Sequence, residues 1–431
     1  MIDPQQPYSR RVFIRQGVVL ASLAATVPHF LQQSAFGMLA PAGSEGQSRP
    51  GVPEDRILVV VQMSGGNDGL NTVVPYGAAE YYNARPSIAI GEPGKPKNNL
   101  AALQLNGAQG IGLHQNLTGL KELYDEGQLC IVQGVGYPNP NRSHFASMDI
   151  WQTGTRSGSG TGWLGRYVDA ACNGNPAADM AVSIGRTAPN ALMGAQSKPV
   201  AFESADLFRW LGNDLHASLD QPYQKLVRAG HLDGVEETSQ TSFLMRTALD
   251  AQLTSDRIRA AVGKQPLVQY PGNPLAKQLQ VVAAMIRDGM KTRVYYVSMG
   301  GFDTHAGQPG AHGNLMRQLG DSLLAFQRDL KAQGNEGRVM TMCFSEFGRR
   351  VRQNASSGTD HGTAGPMFVI GPSVQPGLAG THPSLTDLDS GDLKFGVDFR
   401  AVYQELLAKW MGAPTKQVLG SDFKGPKIVK A

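Results

Sequence analysis

The chain has 431 residues, 41% of them apolar and only 17% charged, with a formal net charge of +4. It contains no run of Lys and Arg of the kind that grips a phosphate backbone, which argues against nucleic acid as a partner. The apolar content supports a substantial core, and 52 glycines with 26 prolines point to many loops between its elements.

At the N-terminus, Ser9-Arg10-Arg11-Val12-Phe13-Ile14-Arg15 precedes a modest apolar stretch from Val18 to Val27, and small residues recur between Ala35 and Ala42. Charged, apolar and small segments in that order make a secretory signal. Paired arginines followed by Phe-Ile mark the twin-arginine class. The apolar part is too short, and too rich in Ala, Ser and Thr, for a membrane span of about 20 residues. The expectation is therefore a signal over residues 1–42 that engages the twin-arginine translocase, then a linker over 43–55. A mature domain follows over 56–431, periplasmic or otherwise extracytoplasmic, without a stable membrane span.

The first strong element is the continuous apolar run Ile57 to Met63, which suits a strand buried on both faces of a parallel sheet. Leu117 to Tyr124 has helical periodicity, and Leu129 to Val135 reads as a second strand. Residues 202–262 are more polar and read as a helical insertion. The α/β rhythm then resumes, with a helix over Leu275 to Met290 and a strand over Arg293 to Met299. A long helix over His312 to Ala332 and a strand over Val339 to Phe344 follow. A short strand over Met367 to Ile370 and a closing helix over Phe399 to Met411 complete the chain. Alternating strands and helices imply an α/β fold with a parallel or mixed sheet wrapped on both faces. Cys130, Cys172 and Cys343 are far apart, with no CxxC, so no disulfide framework is expected.

In such a sheet, ligands sit beyond the carboxyl ends of the strands. The polar groups that follow each predicted strand are Asn67-Asp68-Gly69, Asn141-Arg142-Ser143-His144, Asp303-Thr304-His305 and Ser345-Glu346-Phe347-Gly348-Arg349. Asp360-His361 comes just ahead of the last strand. Each has a bland reading as a turn former or helix cap. On one rim, however, their carboxylates and imidazoles suit a divalent metal such as zinc or manganese, and a nearby hydroxyl becomes a candidate nucleophile.

Several segments resemble the DUF1501 family of exported bacterial proteins, within the alkaline phosphatase/sulfatase-like superfamily. They are Leu58 to Asn71, Arg142-Ser-His-Phe145, Gly162-Trp-Leu-Gly-Arg166, Gly300-Gly-Phe-Asp-Thr-His305, Ser345-Glu-Phe-Gly-Arg349, Gly358-Thr-Asp-His-Gly362 and Asp398-Phe-Arg-Ala-Val-Tyr403. The resemblance implies an alkaline phosphatase-like, mostly parallel sheet flanked by helices. It also implies a metal-dependent hydrolase of phosphate or sulfate esters, on small molecules or polymers. Ser143 would be the nucleophile. Asp68, Asp303, His305 (or His312), Glu346 and His361 would hold the metal, and Arg142 or Arg349 would steady the oxyanion. Where the superfamily has an Asp-His pair this chain has Glu346-Phe347, which lacks the imidazole. That departure implies an alternative, an exported binding protein that keeps the scaffold without catalysis.

Overall fold

A computed structural model of the chain describes residues 55–172, 177–203 and 255–430. The expected signal (1–42) and nearly all of the linker lie outside the described residues, as does most of the expected helical insertion. The chain divides into two compact units. The first comprises residues 1–40 and 202–260, of which the described stretch 255–260 is helical. The second, residues 41–201 and 261–431, holds the sheet and all that follows.

The sheet contains β1 (Ile57–Met63), β2 (Leu129–Gly136), β3 (Ala181–Ile184), β4 (Val294–Met299), β5 (Val339–Phe344), β6 (Gly365–Ile370), β7 (Gly377–Ala379) and β8 (Val397–Asp398). They lie in the order β7-β2-β6-β5-β1-β4-β3, with β8 also beside β2 and the short strand Val200–Phe202 at the far edge beyond β3. β1 runs parallel to β4 and β5, and β3 runs parallel to β4. β6 is antiparallel to both β5 and β2, so β2 points the same way as β1. The sheet is thus mostly parallel, with one reversed strand. β1 and β2 are buried along their whole length, as continuous apolar runs require when both faces are covered.

This topology has a direct consequence for the polar loops. The carboxyl ends of β1, β2, β4 and β5 share one edge of the sheet, and the reversed β6 brings its amino end to the same edge. All five candidate loops therefore emerge on one rim.

The helices are α1 (Thr118–Asp125), α2 (His144–Thr153), α3 (Trp163–Ala171), α4 (Pro274–Arg287), α5 (Gln308–Ala332) and α6 (Phe399–Glu405). Leu58, Val60, Met340, Met342 and Phe344 on one sheet face join Trp151, Trp163, Tyr167, Phe399 and Tyr403 from α2, α3 and α6 in one buried cluster. Trp151 stacks on Phe344 and Phe399, with ring centroids 5.3 and 4.4 Å apart. α4 packs against β4 and against α5, and α5 packs against α1. All three cysteines are buried and unpaired.

Several boundaries differ from the sequence reading: the helix expected to reach Met290 ends at Arg287, the strand expected from Met367 starts at Gly365, and two further helix boundaries shift. α5 starts at Gln308 rather than His312, because Gly307 in a left-handed conformation (φ 54°) turns the chain and Pro309 is tolerated in the first helical turn. His312 therefore lies inside the helix. The closing helix is α-helical only to Glu405 and widens to a π-turn over Leu406–Trp410.

α1 and α5 approach backbone to backbone. A Cβ on Gly119 would lie 2.3 Å from the carbonyl oxygen of Gly320. Gly119→Ala is expected to force the helices apart and cost about 1–3 kcal/mol, read as a lower urea midpoint at unchanged m-value. A midpoint equal to wild type would show that the contact yields freely.

Candidate metal centre

The rim loops are pressed together by glycines. Gly65 (φ 121°) and Gly66 (φ 74°) follow β1 in conformations that disfavour a side chain. A Cβ at Gly65 would sit 2.5 Å from the Asp303 backbone nitrogen, and one at Gly66 would meet the Phe347 ring. The loops after β1 and β4 are therefore in backbone contact, and side chains of the loop after β5 pack against the first.

Asp303, from the loop after β4, is the centre of the site. Its Oδ1 lies 3.0 Å from His305 Nε2 and 3.1 Å from His361 Nε2, and its Oδ2 lies 3.6 Å from His144 Nε2. His305 Nε2 and His361 Nε2 are themselves 3.0 Å apart. Each imidazole is held from behind through Nδ1. That atom lies 2.8 Å from Glu346 Oε1 in His144, 2.9 Å from the Arg142 carbonyl in His361, and 3.3 Å from Asp360 Oδ1 in His305. With acceptors outside, the hydrogen-bond network assigns the proton to Nδ1 and leaves an Nε2 lone pair facing Asp303. His144 Nε2 is buried without a hydrogen-bond partner. Three lone pairs and a carboxylate thus converge, with the Arg349 guanidinium against Asp303 Oδ1 (2.7 Å) and His305 Nε2 (3.5 Å) on one side, an arrangement that a cation between the groups would stabilise.

The donor set fits a metal. His144, Asp303 and His361 offer ligand atoms all within 4.8 Å of one another, and His305 adds a fourth beside Asp303. Ligands on a tetrahedral zinc are about 3.3 Å apart, given Zn–N bonds of about 2.0–2.1 Å, and most of the separations above are close to that. The outer acceptors on Nδ1 are the second-shell pattern that orients metal-binding histidines.

Arg349 fixes the carboxylate. It is fully buried and donates to the carbonyls of Gly65, Gly66 (2.6 Å), Phe302 (3.0 Å) and Thr359 (2.8 Å), and to Asp303 Oδ1 (2.7 Å). Partial burial works to raise the Asp303 pKa, but the hydrogen bond and the charge of Arg349 bring it down to about 2. Asp303 is thus ionised at any ordinary pH. The Phe347 ring lies 4.9 Å from the rings of both His144 and His361 and floors the cluster with apolar surface.

The structure thus brings Asp303, His305 and His361 together and gives other residues of the expected set different places. Glu346 is buried. Its Oε1 accepts from Gly65 N–H and faces His144 Nδ1, and its Oε2 accepts from Ser345; it stands behind His144 rather than among the inner ligands. Asp68 is 1% exposed. Its Oδ2 pairs with Arg85 at 2.6 Å and accepts from Gln308 Nε2. Burial opposes its ionisation, yet the Arg85 charge and hydrogen bond hold its pKa below the usual range. Its charge is already matched by Arg85, and it is not among the residues whose ligand atoms converge at Asp303. His312 shares this interior pocket with Asp68 and edges onto His114, rings 5.6 Å apart. Burial drives both imidazoles down, to about 4 and about 3, so they are neutral.

Arg349 spends its donors on the framework, which leaves none for an oxyanion. The Arg142 guanidinium is bound to Asp392. Ser143 is exposed at the head of α2, without a side-chain capping bond. Sequence reasoning missed His144 as a member of the cluster. Its signal was its place in the loop after the second strand, one residue past the candidate nucleophile.

The fold and the site together define a mixed α/β sheet protein with a His/Asp cluster at the carboxyl edge of its strands. The chain belongs to the DUF1501 family, described as a protein of unknown function, whose model matches residues 55–419. No curated protein matches the sequence significantly. Among solved structures, Ps i-CgsB in complex with k-i-k-neocarrahexaose is similar at 11% identity and a TM-score of 0.39, covering 86% of this chain and 74% of its own. A protein in the alkaline phosphatase superfamily from Vibrio parahaemolyticus is similar at 8% identity and 0.38, covering 91% and 77%. The PsFucS1 sulfatase from Pseudoalteromonas sp. is similar at 10% identity and 0.36, covering 98% and 78%. Likeness of this size carries no argument about chemistry, which rests on the site itself.

Proposed function

We propose that this protein is an exported, metal-dependent hydrolase of phosphate or sulfate esters. One observation carries the reading: three imidazoles, each held from behind at Nδ1, aim Nε2 at the ionised Asp303. His144, Asp303, His305 and His361 would hold a divalent ion, with zinc or manganese suited to such a set. Bound there, the ion would polarise an ester oxygen and stabilise developing negative charge. The chain's own contribution is to orient and to exclude. Glu346 and the Arg142 carbonyl set the histidine tautomers, Arg349 keeps Asp303 in place, and Phe347 excludes water from beneath the cluster. Ser143, exposed one residue before His144, is the nucleophile in this reading.

Export rests on the Arg10-Arg11 signal. The twin-arginine route carries folded proteins, which suits a centre whose residues run from His144 to His361 and meet only after folding. Among the described residues no helix is long and apolar enough to cross a membrane.

The test is elemental analysis of the purified full chain with a panel of sulfate and phosphate esters. One equivalent of metal is expected, falling below a fifth of that in His361→Ala. Ser143→Ala should keep the metal and lose turnover. Absence of stoichiometric metal, with stability unchanged in chelator, would sink the reading. A second reading is favoured by the neutralised Asp68, which leaves a single cluster rather than two. It is a binding protein on the same scaffold, and it predicts that Ser143→Ala changes nothing.

A further inference from the structure

Beside the metal cluster lie two arginines that the proposed chemistry leaves unused. Arg142 immediately precedes Ser143 and His144, and its carbonyl accepts from His361 Nδ1. Arg350 follows Arg349, and its backbone N–H donates to the Asp360 carbonyl at 3.0 Å. Both guanidiniums are thus carried by backbone already tied to the histidines. They are drawn together by Asp392, from the hairpin of Leu388–Asp389 and Asp392–Leu393. Asp392 Oδ2 binds Arg142 Nη2, and its Oδ1 lies 3.7 Å from Arg350 Nε.

The burial of the three groups is unequal. The Asp392 side chain is 1% exposed, while those of Arg142 and Arg350 are 41% and 37% exposed. The carboxylate therefore sits behind the pair and the cations face outward. Asp392 Oδ1 is buried with no hydrogen-bond partner, and among the described residues the Arg350 guanidinium makes no hydrogen bond. Asp389 and Asp360 also lie within electrostatic reach of Asp392 and Arg350, so what the pair offers an anion is the free N–H groups of two exposed guanidiniums rather than an excess of positive charge. The buried Asp392 anchors Arg142 by a hydrogen bond and keeps Arg350 within ion-pair distance at 3.7 Å. Planar guanidinium forks suit sulfate, phosphate and carboxylate oxygens.

We propose that Arg142 and Arg350 form a second anion site beside the metal cluster, which selects esters bearing a further anionic oxygen group on the same molecule. This deepens the ester-hydrolase reading, on which it rests, and narrows the substrate class to polyanionic esters. The group at the metal cluster reacts, and the group at the arginine pair sets position and register.

Arg350 tests this cleanly, because it is half exposed and its loss leaves Asp392 paired with Arg142. Binding to the metal-loaded full chain is measured by calorimetry with a disulfated disaccharide and its monosulfated counterpart. Wild type is expected to favour the disulfated probe about tenfold. Arg350→Gln should reduce the preference below twofold while leaving the monosulfated probe and the melting temperature unchanged. The same contrast in a phosphorylated pair tells which oxyanion the site prefers. In chelator-stripped protein the arginine pair alone should bind the monosulfated probe weakly, and Arg350→Gln should abolish that. Loss of the metal reading, seen by elemental analysis, is thus separable from loss of the anion site. Equal affinity for both probes in wild type, binding of neither, or a tenfold preference that survives in Arg350→Gln overturns the proposal.

Discussion

Arg349→Met is expected to destabilise the protein by about 4 kcal/mol or more and to empty the candidate centre of metal. Methionine keeps the apolar bulk of the side chain but removes every donor. The carbonyls of Gly65, Gly66 and Thr359 then lose a partner in a buried setting, where each unsatisfied group costs about 1–3 kcal/mol, while the Phe302 carbonyl keeps the Thr304 N–H. Asp303 loses the cation that holds its pKa down, and with it the anchor that presents Oδ1 to His305 and His361. Arg349→Lys should rescue little, because an ammonium has three donors on a point charge and cannot span five acceptors. The measurements are the denaturant midpoint and metal per chain. A methionine variant within 1 kcal/mol of wild type would show that the loops hold their positions without Arg349, and its assigned role would fail.

The fold was legible because its strands are apolar on both faces. Continuous runs such as Ile57 to Met63 and Val339 to Phe344 leave no competing reading, and the loops beyond them follow from the sheet rule. The reversed β6 was not legible, since Met367 to Ile370 reads as strand in either direction and only its pairing with β5 and β2 sets the sense. The site was legible as a rim but not as an inventory. Asp303, His305 and His361 stand where strand ends were expected to place them. Asp68 and Glu346 carry the same chemistry in sequence, and their different places are decided by long-range partners. Arg85, just past the end of the short helix Ala79–Ala84, claims Asp68, and His144 claims Glu346. Residue type shows what a side chain can bind, whereas three-dimensional neighbours decide what it does bind.

That division makes Arg85 and Asp68 the sharper test. Both side chains are fully buried, 2.6 Å apart, and Arg85 also donates to Asn71 Oδ1 (2.9 Å) and to the carbonyls of Val351 (2.9 Å) and Arg350 (2.8 Å). Arg85→Met leaves a buried carboxylate without its cation, which costs about 3–5 kcal/mol. Removing both charges in Arg85→Met/Asp68→Asn should be milder than Arg85→Met alone, because no uncompensated ion remains. The pH dependence should reverse in sign. In the wild type the Asp68 pKa is depressed, so its contribution is present above the unfolded value and is lost as pH falls through the folded one. Without Arg85, burial is opposed only weakly and raises that pKa. The folded state then binds the extra proton, and stability falls as pH rises above the unfolded value. The double variant, which has no carboxylate there, should lose this reversed slope. Metal content of Asp68→Asn is the companion measurement. A full equivalent retained supports the four-residue centre around Asp303, whereas loss of metal returns Asp68 to the ligand set and makes its pairing with Arg85 a state that metal binding must break.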